Sequence, residues 1–376
     1  MPVVSDYLYA KASKNRIPLH GTFELTPVCN FACKMCYVRK TPEQVRAEGK
    51  CIRSWQDWLK LGELCRDAGM LYLLLTGGEP FIYPGFRQLY EGLQKLGLVI
   101  SINSNGTMID AETVEWLKAN APSRVNITLY GAGPETYERL CGRADGFEKA
   151  KNAIIMLKEA GIPVVINVSM IPENEADLED IIEFGKSLGL NTRIATYMFP
   201  PARREREESD SRFTPEDSAK IYVRKLRCQL DQEYYAEHLK EHLKKLKPTL
   251  NEDGEETWGS DLEYMRCRAG RSTFWVSWEG KMTACGMVPF PLEVYPFEDS
   301  FEECWNSLTD AVRNTKVMRA CNSCTKKEIC QPCVAMLHSE TGGVEDKAPY
   351  LCERTDYIIQ LIEEEISGEE NNEQEY

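Results

Sequence analysis

Over the first two hundred residues, short runs rich in Val, Ile and Leu alternate with amphipathic stretches of helical length. Aliphatic and β-branched runs bounded by turn residues read as strands. Six qualify: residues 22–26, 71–76, 98–103, 124–130, 163–170 and 192–199. Four of the intervening stretches end on a glycine immediately before the next strand, at Gly69, Gly97, Gly161 and Gly189. Glycine just past a helix takes the left-handed conformation that closes the last turn without a Cβ penalty. Strand–helix alternation with such caps predicts an α/β fold on a parallel sheet. Six units are too few for a closed eight-stranded barrel, so the expectation is an open, partial (β/α)6 TIM-like barrel with chemistry at the C-terminal ends of its strands.

The texture changes at Pro200, where PPARREREESDSRF (residues 200–213) is charged and proline-led. Thr214 before Pro215, Glu216 and Asp217 predicts an N-cap with proline at the first helical position, opening helical sequence over 216–247. NEDGEETWG (251–259) marks another break, and from about residue 261 element signals shorten while cysteines become dense. That composition suits a small domain held by metal where the apolar core is thin. The expected organisation is an N-terminal extension (1–20), a barrel core (21–200), a charged linker with helices (201–260), a cysteine-rich domain (261–360) and an acidic, disordered tail (361–376).

Composition narrows the chemistry. Lys and Arg total 45 against 59 Asp and Glu, a net charge of −14, and seven of those acids lie in residues 363–376 without a base. An acidic balance disfavours a nucleic-acid binder, which needs a basic surface. No apolar run approaches the ~20 residues of a membrane span, and the opening MPVVSDYLYAKASKN lacks a signal-peptide core. The fifteen cysteines are therefore expected as thiols in a reducing, cytoplasmic and anaerobic setting, where clusters of them point to metal or catalysis.

The first cluster is Cys29, Cys33 and Cys36, directly after the first strand. Three thiolates on a short loop can converge on one iron–sulfur cube, since soft sulfur suits iron. A purely structural cube wants four, so three leave one iron open to a ligand. The alternative is a zinc site completed by a distant histidine, although only four histidines exist. The second strand candidate ends in Thr76-Gly77-Gly78-Glu79-Pro80, in which glycines allow close backbone approach and Glu79 can accept hydrogen bonds from an ammonium group.

This pairing resembles the radical S-adenosylmethionine (SAM) superfamily, whose signature is CxxxCxΦC followed one βα unit later by GGEP. Met35 occupies the apolar slot where an aromatic is more frequent, and Tyr37 follows. The resemblance implies a [4Fe–4S] cluster on Cys29, Cys33 and Cys36, with SAM held by Gly77, Gly78, Glu79 and Pro80. It further suggests Asn103 and Ser104 after the third strand, Thr128 after the fourth, Asn167 on the fifth, and Arg143 as a partner for the methionine carboxylate.

The later cysteines, Cys267, Cys285, Cys321, Cys324, Cys330, Cys333 and Cys352, resemble the SPASM extension of radical SAM maturases, which carries two auxiliary [4Fe–4S] clusters. By that resemblance Cys321, Cys324, Cys330 and Cys352 hold the distal cluster, and Cys267, Cys285 and Cys333 the proximal one. A zinc ribbon on Cys321/Cys324 and Cys330/Cys333 is the competing reading. Two departures stand out: only Gln331-Pro332 separate the fifth and sixth cysteines, and no extra cysteine precedes the first, so the proximal cluster has an open iron or a ligand from elsewhere. Cys51, Cys65, Cys141, Cys228 and Cys304 remain, read as small buried hydrophobes, with Cys141 or Cys228 as candidates for that ligand.

The chemistry implied is reductive cleavage of SAM to a 5′-deoxyadenosyl radical that abstracts hydrogen from a peptide, giving oxidation or a thioether or carbon–carbon crosslink. The electron is expected from a flavodoxin or ferredoxin. The alternatives are the same chemistry on a small molecule such as a porphyrin or carbohydrate derivative, and a non-catalytic electron carrier. Sulfatase-maturing relatives carry an aspartate after the cysteine aligned with Cys285; Gly286 here argues against that activity. The cysteine loop begins at residue 29, so a leader-recognition domain of ~80–90 residues has no room before it. A separate leader-binding protein or the 201–260 segment is expected instead. Glu24, Arg193 and Tyr197 near strand ends are further candidate contacts.

Overall fold

The computed structural model describes residues 4–200, 211–244, 246, 249–250, 256–257, 267–317, 321 and 324–373. The six expected strands form as β1 (His20–Glu24), β2 (Tyr72–Thr76), β3 (Val99–Ser104), β4 (Arg124–Thr128), β5 (Val164–Ser169) and β6 (Asn191–Ala195), each parallel to the next. The four capping glycines all have positive φ, between 62° and 106°. At Gly97, Gly161 and Gly189 a Cβ would meet nothing within 4 Å, so backbone conformation alone calls for glycine there. Thr214 caps the helix Pro215–Gln229, its hydroxyl accepting from Asp217 N–H at 3.1 Å, as the sequence predicts.

Alternation along the strands builds two unlike faces. Phe23, Leu73, Leu75, Ile100, Ile102, Val125, Ile127 and Ile166 are buried in the main core, Phe23 meeting Trp58 of the helix Trp55–Asp67 at 5.0 Å between ring centroids. The residues of opposite parity near the strand ends are polar: Asn103, Thr128, Asn167, Ser169 and Arg193. Register aligns Thr128 with Asn167 and Asn167 with Arg193, so a polar row crosses three strands.

A short antiparallel ribbon, β7 (Thr249–Leu250) with β8 (Glu256–Thr257), lies apart from this sheet. The cysteine-rich region does not form a separate bead. Its strand β9 (Thr273–Val276) pairs in parallel with β1, and β10 (Met282–Thr283) pairs antiparallel with β9. The sheet order is therefore β10-β9-β1-β2-β3-β4-β5-β6. The short signals past residue 261 concealed this extension.

Of the tail expected to be disordered, residues 361–373 are instead part of one helix, Pro349–Glu373, and 374–376 lie outside the described residues. Glu353, Asp356, Glu363 and Glu364 lie outward, while Leu351, Thr355, Ile358 and Ile362 recur at helical spacing and are buried. Ile358 and Ile362 pack with Ala219, Val223 and Leu226 of the helix Pro215–Gln229. Buried Arg354 donates to Ser218 Oγ at 2.7 Å and Thr196 Oγ1 at 2.9 Å, tying this helix to the exit of β6. Among the described residues no helix is long and apolar enough to cross a membrane. Ile362→Ala is expected to lower stability by about 2–5 kcal/mol, whereas Glu364→Ala on the outer face stays within about 0.5 kcal/mol. Urea unfolding curves check this, and equal midpoints for both would mean that the segment does not pack.

Candidate active site

Past the end of β1 the chain stays bonded to the loop after β2. Leu25 N–H donates to Thr76 O at 2.9 Å, Gly78 N–H to Thr26 O at 2.6 Å and Glu79 N–H to Val28 O at 3.0 Å. A Cβ on Gly77 would lie 2.6 Å from Thr26 O, and one on Gly78 2.3 Å from Val28 O. These glycines are required by the close approach of two loops rather than by a ligand alone. The cysteine loop is pinned on its other side by the helix Pro134–Cys141: Ala32 N–H donates to Cys141 O at 2.8 Å and Lys34 N–H to Leu140 O at 3.1 Å. Those bonds occupy carbonyls that the helix end leaves without internal partners.

A cavity of about 600 Å³ opens where these loops meet the strand ends. Cys29, Cys33, Met35, Cys36, Tyr37, Gly77, Gly78, Asn103, Ser104, Thr128 and Asn167 line it, all singled out in the sequence. Arg193 and Tyr197 line it too. Three expected residues lie elsewhere. Glu79 and Pro80 are buried behind the wall. Arg143 points to solvent in a bidentate pair with Asp145, at 2.8 and 2.7 Å, so a sequence neighbour takes the fork proposed for a ligand carboxylate. Sequence reasoning missed Asn105, Tyr130, Ser169 and Met287, which also line the cavity. Asn105 directly follows Asn103 and Ser104 and was legible there, whereas Met287 arrives from a distant part of the chain, without a local signal.

Glu79 acts as a brace. Its carboxylate accepts from Phe81 N–H (3.1 Å), Ser104 Oγ (2.9 Å) and Asn105 N–H (2.8 Å), joining the β2 and β3 loops. Burial nevertheless pushes its pKa up to about 7, the three donors only partly offsetting the desolvation. The Asn105 amide in turn donates to Asn30 Oδ1 at 2.9 Å and faces Cys29 Sγ at 3.7 Å.

Each cysteine of the triad meets donors. Phe31 N–H donates to Cys29 Sγ at 3.4 Å and Arg39 N–H to Cys36 Sγ at 3.3 Å. Burial lifts the Cys29 thiol to about 12, while hydrogen bonds from Cys141 first, then Tyr130, lower that of Cys33. Among the described residues no three His, Cys, Asp or Glu side chains converge where one metal ion could sit. A lone zinc needs that convergence, whereas thiolates around a cube each bind a different iron and stand further apart. Three soft thiolates on one short loop are a donor set that suits an iron–sulfur cube.

In the C-terminal region Cys321, Cys324, Cys330 and Cys352 are close enough to perturb one another electrostatically, and Cys333 feels Cys267. Cys285 lies on the loop after β10, beside Gly286 and Met287. A Cβ on Gly286 would fall 2.4 Å from the Trp275 indole, whose Nε1–H donates to buried Glu24 at 3.2 Å. No side chain, aspartate included, fits at 286 without displacing that ring. Neither candidate for a missing auxiliary ligand lies with these cysteines: Cys141 is against Cys33, and Cys228 is beside Glu179. Cys65, Cys141 and Cys304 are buried as expected, whereas Cys51 is exposed and Cys228 half-buried.

Residues 23–185 match the family model of the Radical SAM superfamily. The chain is 25% identical over 337 residues to the AdoMet-dependent heme synthase of Methanosarcina barkeri, covering 87% of this chain and 94% of that one. It is also 25% identical over 293 residues to the antilisterial bacteriocin subtilosin biosynthesis protein AlbA of Bacillus subtilis, 77% of this chain and 60% of that one. Among solved structures, anSMEcpe with bound AdoMet and the Kp18Cys peptide superposes with a TM-score of 0.66 at 16% identity, over 94% of this chain and 99% of that one. Residues 23–185 thus form a radical SAM domain. The cofactors of that family are a [4Fe–4S] cluster and SAM.

The Glu79 brace makes a pH prediction. Its folded pKa stands above the ordinary carboxylate value of 4.5, so the folded state binds the extra proton. That contribution is fully present below pH ~4.5 and is lost as pH rises through ~7, on the order of 3 kcal/mol. Glu79→Gln is expected to flatten this part of the stability–pH curve. Denaturant midpoints of both proteins from pH 4.5 to 8 check it, and parallel curves would refute a buried, titrating carboxyl.

Proposed function

We propose that this protein is a radical SAM enzyme that modifies a peptide by hydrogen abstraction, with oxidation or crosslinking as the outcome. One observation carries the reading: the cysteine triad and the polar strand ends share a cavity that is also lined by Met287, from the loop bearing Cys285. A relative over 77% of the chain is a bacteriocin biosynthesis protein, and a structural neighbour holds a peptide together with AdoMet.

In this reading Cys29, Cys33 and Cys36 hold the cube and leave one iron open to SAM. When bound, the cube and SAM together supply reductive cleavage of the sulfonium to a carbon radical that abstracts hydrogen. The chain's own residues bind and orient. The Gly77–Gly78 backbone offers polar groups at the cavity wall, and Asn103, Ser104, Thr128 and Asn167 offer hydroxyl and amide groups suited to a ribose and an amino-acid head. Arg193 replaces Arg143 as the cation available to a carboxylate, since it lines the cavity on the polar row. Tyr130, Tyr197 and Phe199 give apolar walls that limit water at the reacting centre.

Cys321, Cys324, Cys330 and Cys352 would hold one auxiliary cluster, and Cys267, Cys285 and Cys333 a second. These clusters would take the electron released on net oxidation of the substrate, and a low-potential flavodoxin or ferredoxin would supply the first electron. A small-molecule substrate of the porphyrin class is the second reading, favoured by the similarity to heme synthases over nearly the full length of both chains.

Three assays test this. Anaerobically reconstituted protein is expected to carry roughly twelve irons per chain, and a value near four would remove the auxiliary clusters. With dithionite and SAM the wild type should release 5′-deoxyadenosine, and the Cys29→Ala/Cys33→Ala/Cys36→Ala variant should release none; equal release would end the radical reading. Mass spectrometry of a peptide encoded beside the gene should show a loss of two hydrogens per event. Turnover of an iron porphyrin precursor with no change in any such peptide would select the second reading.

A further inference from the structure

The Asn105 side chain belongs to a closed ring of hydrogen bonds beside the first cysteine of the triad. Its amide donates to Asn30 Oδ1 at 2.9 Å, and Asn30 Nδ2 donates to Thr107 Oγ1 at 2.7 Å. The Thr107 hydroxyl closes the ring by donating to Asn105 Oδ1 at 2.6 Å. Thr107 N–H donates to that same oxygen at 2.9 Å. A backbone N–H can only donate, so the oxygen of the Asn105 amide must face Thr107 and its NH2 must face the other way. On that side one hydrogen goes to Asn30, and the other is left for Cys29 Sγ, 3.7 Å from the nitrogen.

The ring stands on fixed backbone. Asn105 is buried, its own N–H is taken by the Glu79 carboxylate at 2.8 Å, and the next N–H, of Gly106, donates to Ser104 Oγ at 2.9 Å. Asn30 directly follows Cys29, so the ring ties the loop after β3 to the cysteine loop. Every bond that aims the amide lies within the chain, and the donor is therefore in place before a cube is loaded. A donor aimed at a cluster-ligating sulfur stabilises whichever redox state carries more negative charge. One-electron reduction of the cube adds one negative charge, so such a donor raises its potential and eases its reduction. A carboxylate in the same position would act in the opposite sense.

We propose that Asn105 tunes the cube held by the triad, its amide donating to the Cys29 sulfur and raising the reduction potential, while Asn30 and Thr107 are the positioning residues that hold the amide in that orientation. This rests on the cube being carried by Cys29, Cys33 and Cys36. It gives the polar run after β3 a part in electron entry, distinct from any contact of Asn103 and Ser104 with SAM.

The test is a redox titration of reconstituted holoprotein, following by EPR the reduced cluster whose signal changes on adding SAM, which separates it from other clusters. Asn105→Ala removes the donor and should weaken reduction about tenfold, a midpoint ~59 mV more negative for one electron. Asn105→Asp keeps the acceptor for Thr107 but sets a carboxylate beside the sulfur, so its midpoint should be lower still. Thr107→Val opens the ring without altering Asn105 and should fall between wild type and Asn105→Ala, whereas Thr107→Ser restores the hydroxyl and should match wild type. A role confined to loop packing would not put the variants in this order. Asn105 midpoints equal to wild type, or shifted positive, with the SAM-responsive signal intact overturn the tuning alone. A wild type with no SAM-responsive cluster overturns the triad assignment beneath it. If both Asn105 variants fail to load iron, Thr107→Val decides: a midpoint below wild type upholds the proposal, and one equal to wild type overturns it.

Discussion

The bonds that carry Gly78 N–H to Thr26 O and Glu79 N–H to Val28 O extend the β1–β2 ladder beyond the sheet, and the geometry of the site depends on them. They form only because residues 77 and 78 have no Cβ to strike the opposite backbone. With one side of the cysteine loop fixed to the β2 loop and the other to the helix end at Leu140 and Cys141, three short-spaced thiols line one cavity on a backbone held from both sides. Such pre-arrangement reduces the ordering cost that a cluster would otherwise have to offset.

The sheet serves the site through its unequal faces. A closed eight-stranded barrel fills its interior with branched apolar layers. Here the strand ends carry Asn103, Thr128, Asn167, Ser169 and Arg193 toward a cavity, while the residues between them pack beneath the helices. An open barrel can keep a hollow interior of this kind because it does not have to close on itself. Glu79 joins the loops of two neighbouring strands with its carboxylate, which makes a buried acid part of the scaffold rather than of the lining.

The C-terminal region is continuous with that scaffold. β9 extends the sheet from β1, Trp275 reaches Glu24, and Gly286 yields its side-chain volume to the indole. These contacts position the Cys285 loop beside the same cavity as the triad. On the other flank, Arg212 and Tyr197 both engage Glu340, an ion pair and hydrogen bond at 2.6 and 2.7 Å, joining the exit of β6 to the helix Val334–Thr341. The same packed group includes Cys321 and Cys330, so the cavity wall at Tyr197 is contiguous with the second cysteine set.

Local pattern alone determined the six parallel strands, the glycine stops, the Thr214 cap and the triad beside its glycine turn, because each depends on spacing within one loop or one helical turn. It misjudged what depends on partners distant in the chain. Arg143 was spent on Asp145, Glu79 turned inward, and the acidic end folded as a helix because its sparse Ile and Leu residues find the helix Pro215–Gln229. Tertiary structure decided which helix end docks against the Cys33 loop, which cation meets the cavity and which distant residue joins its lining. Those choices follow from docking separate elements, whose relative placement periodicity within any one of them does not encode.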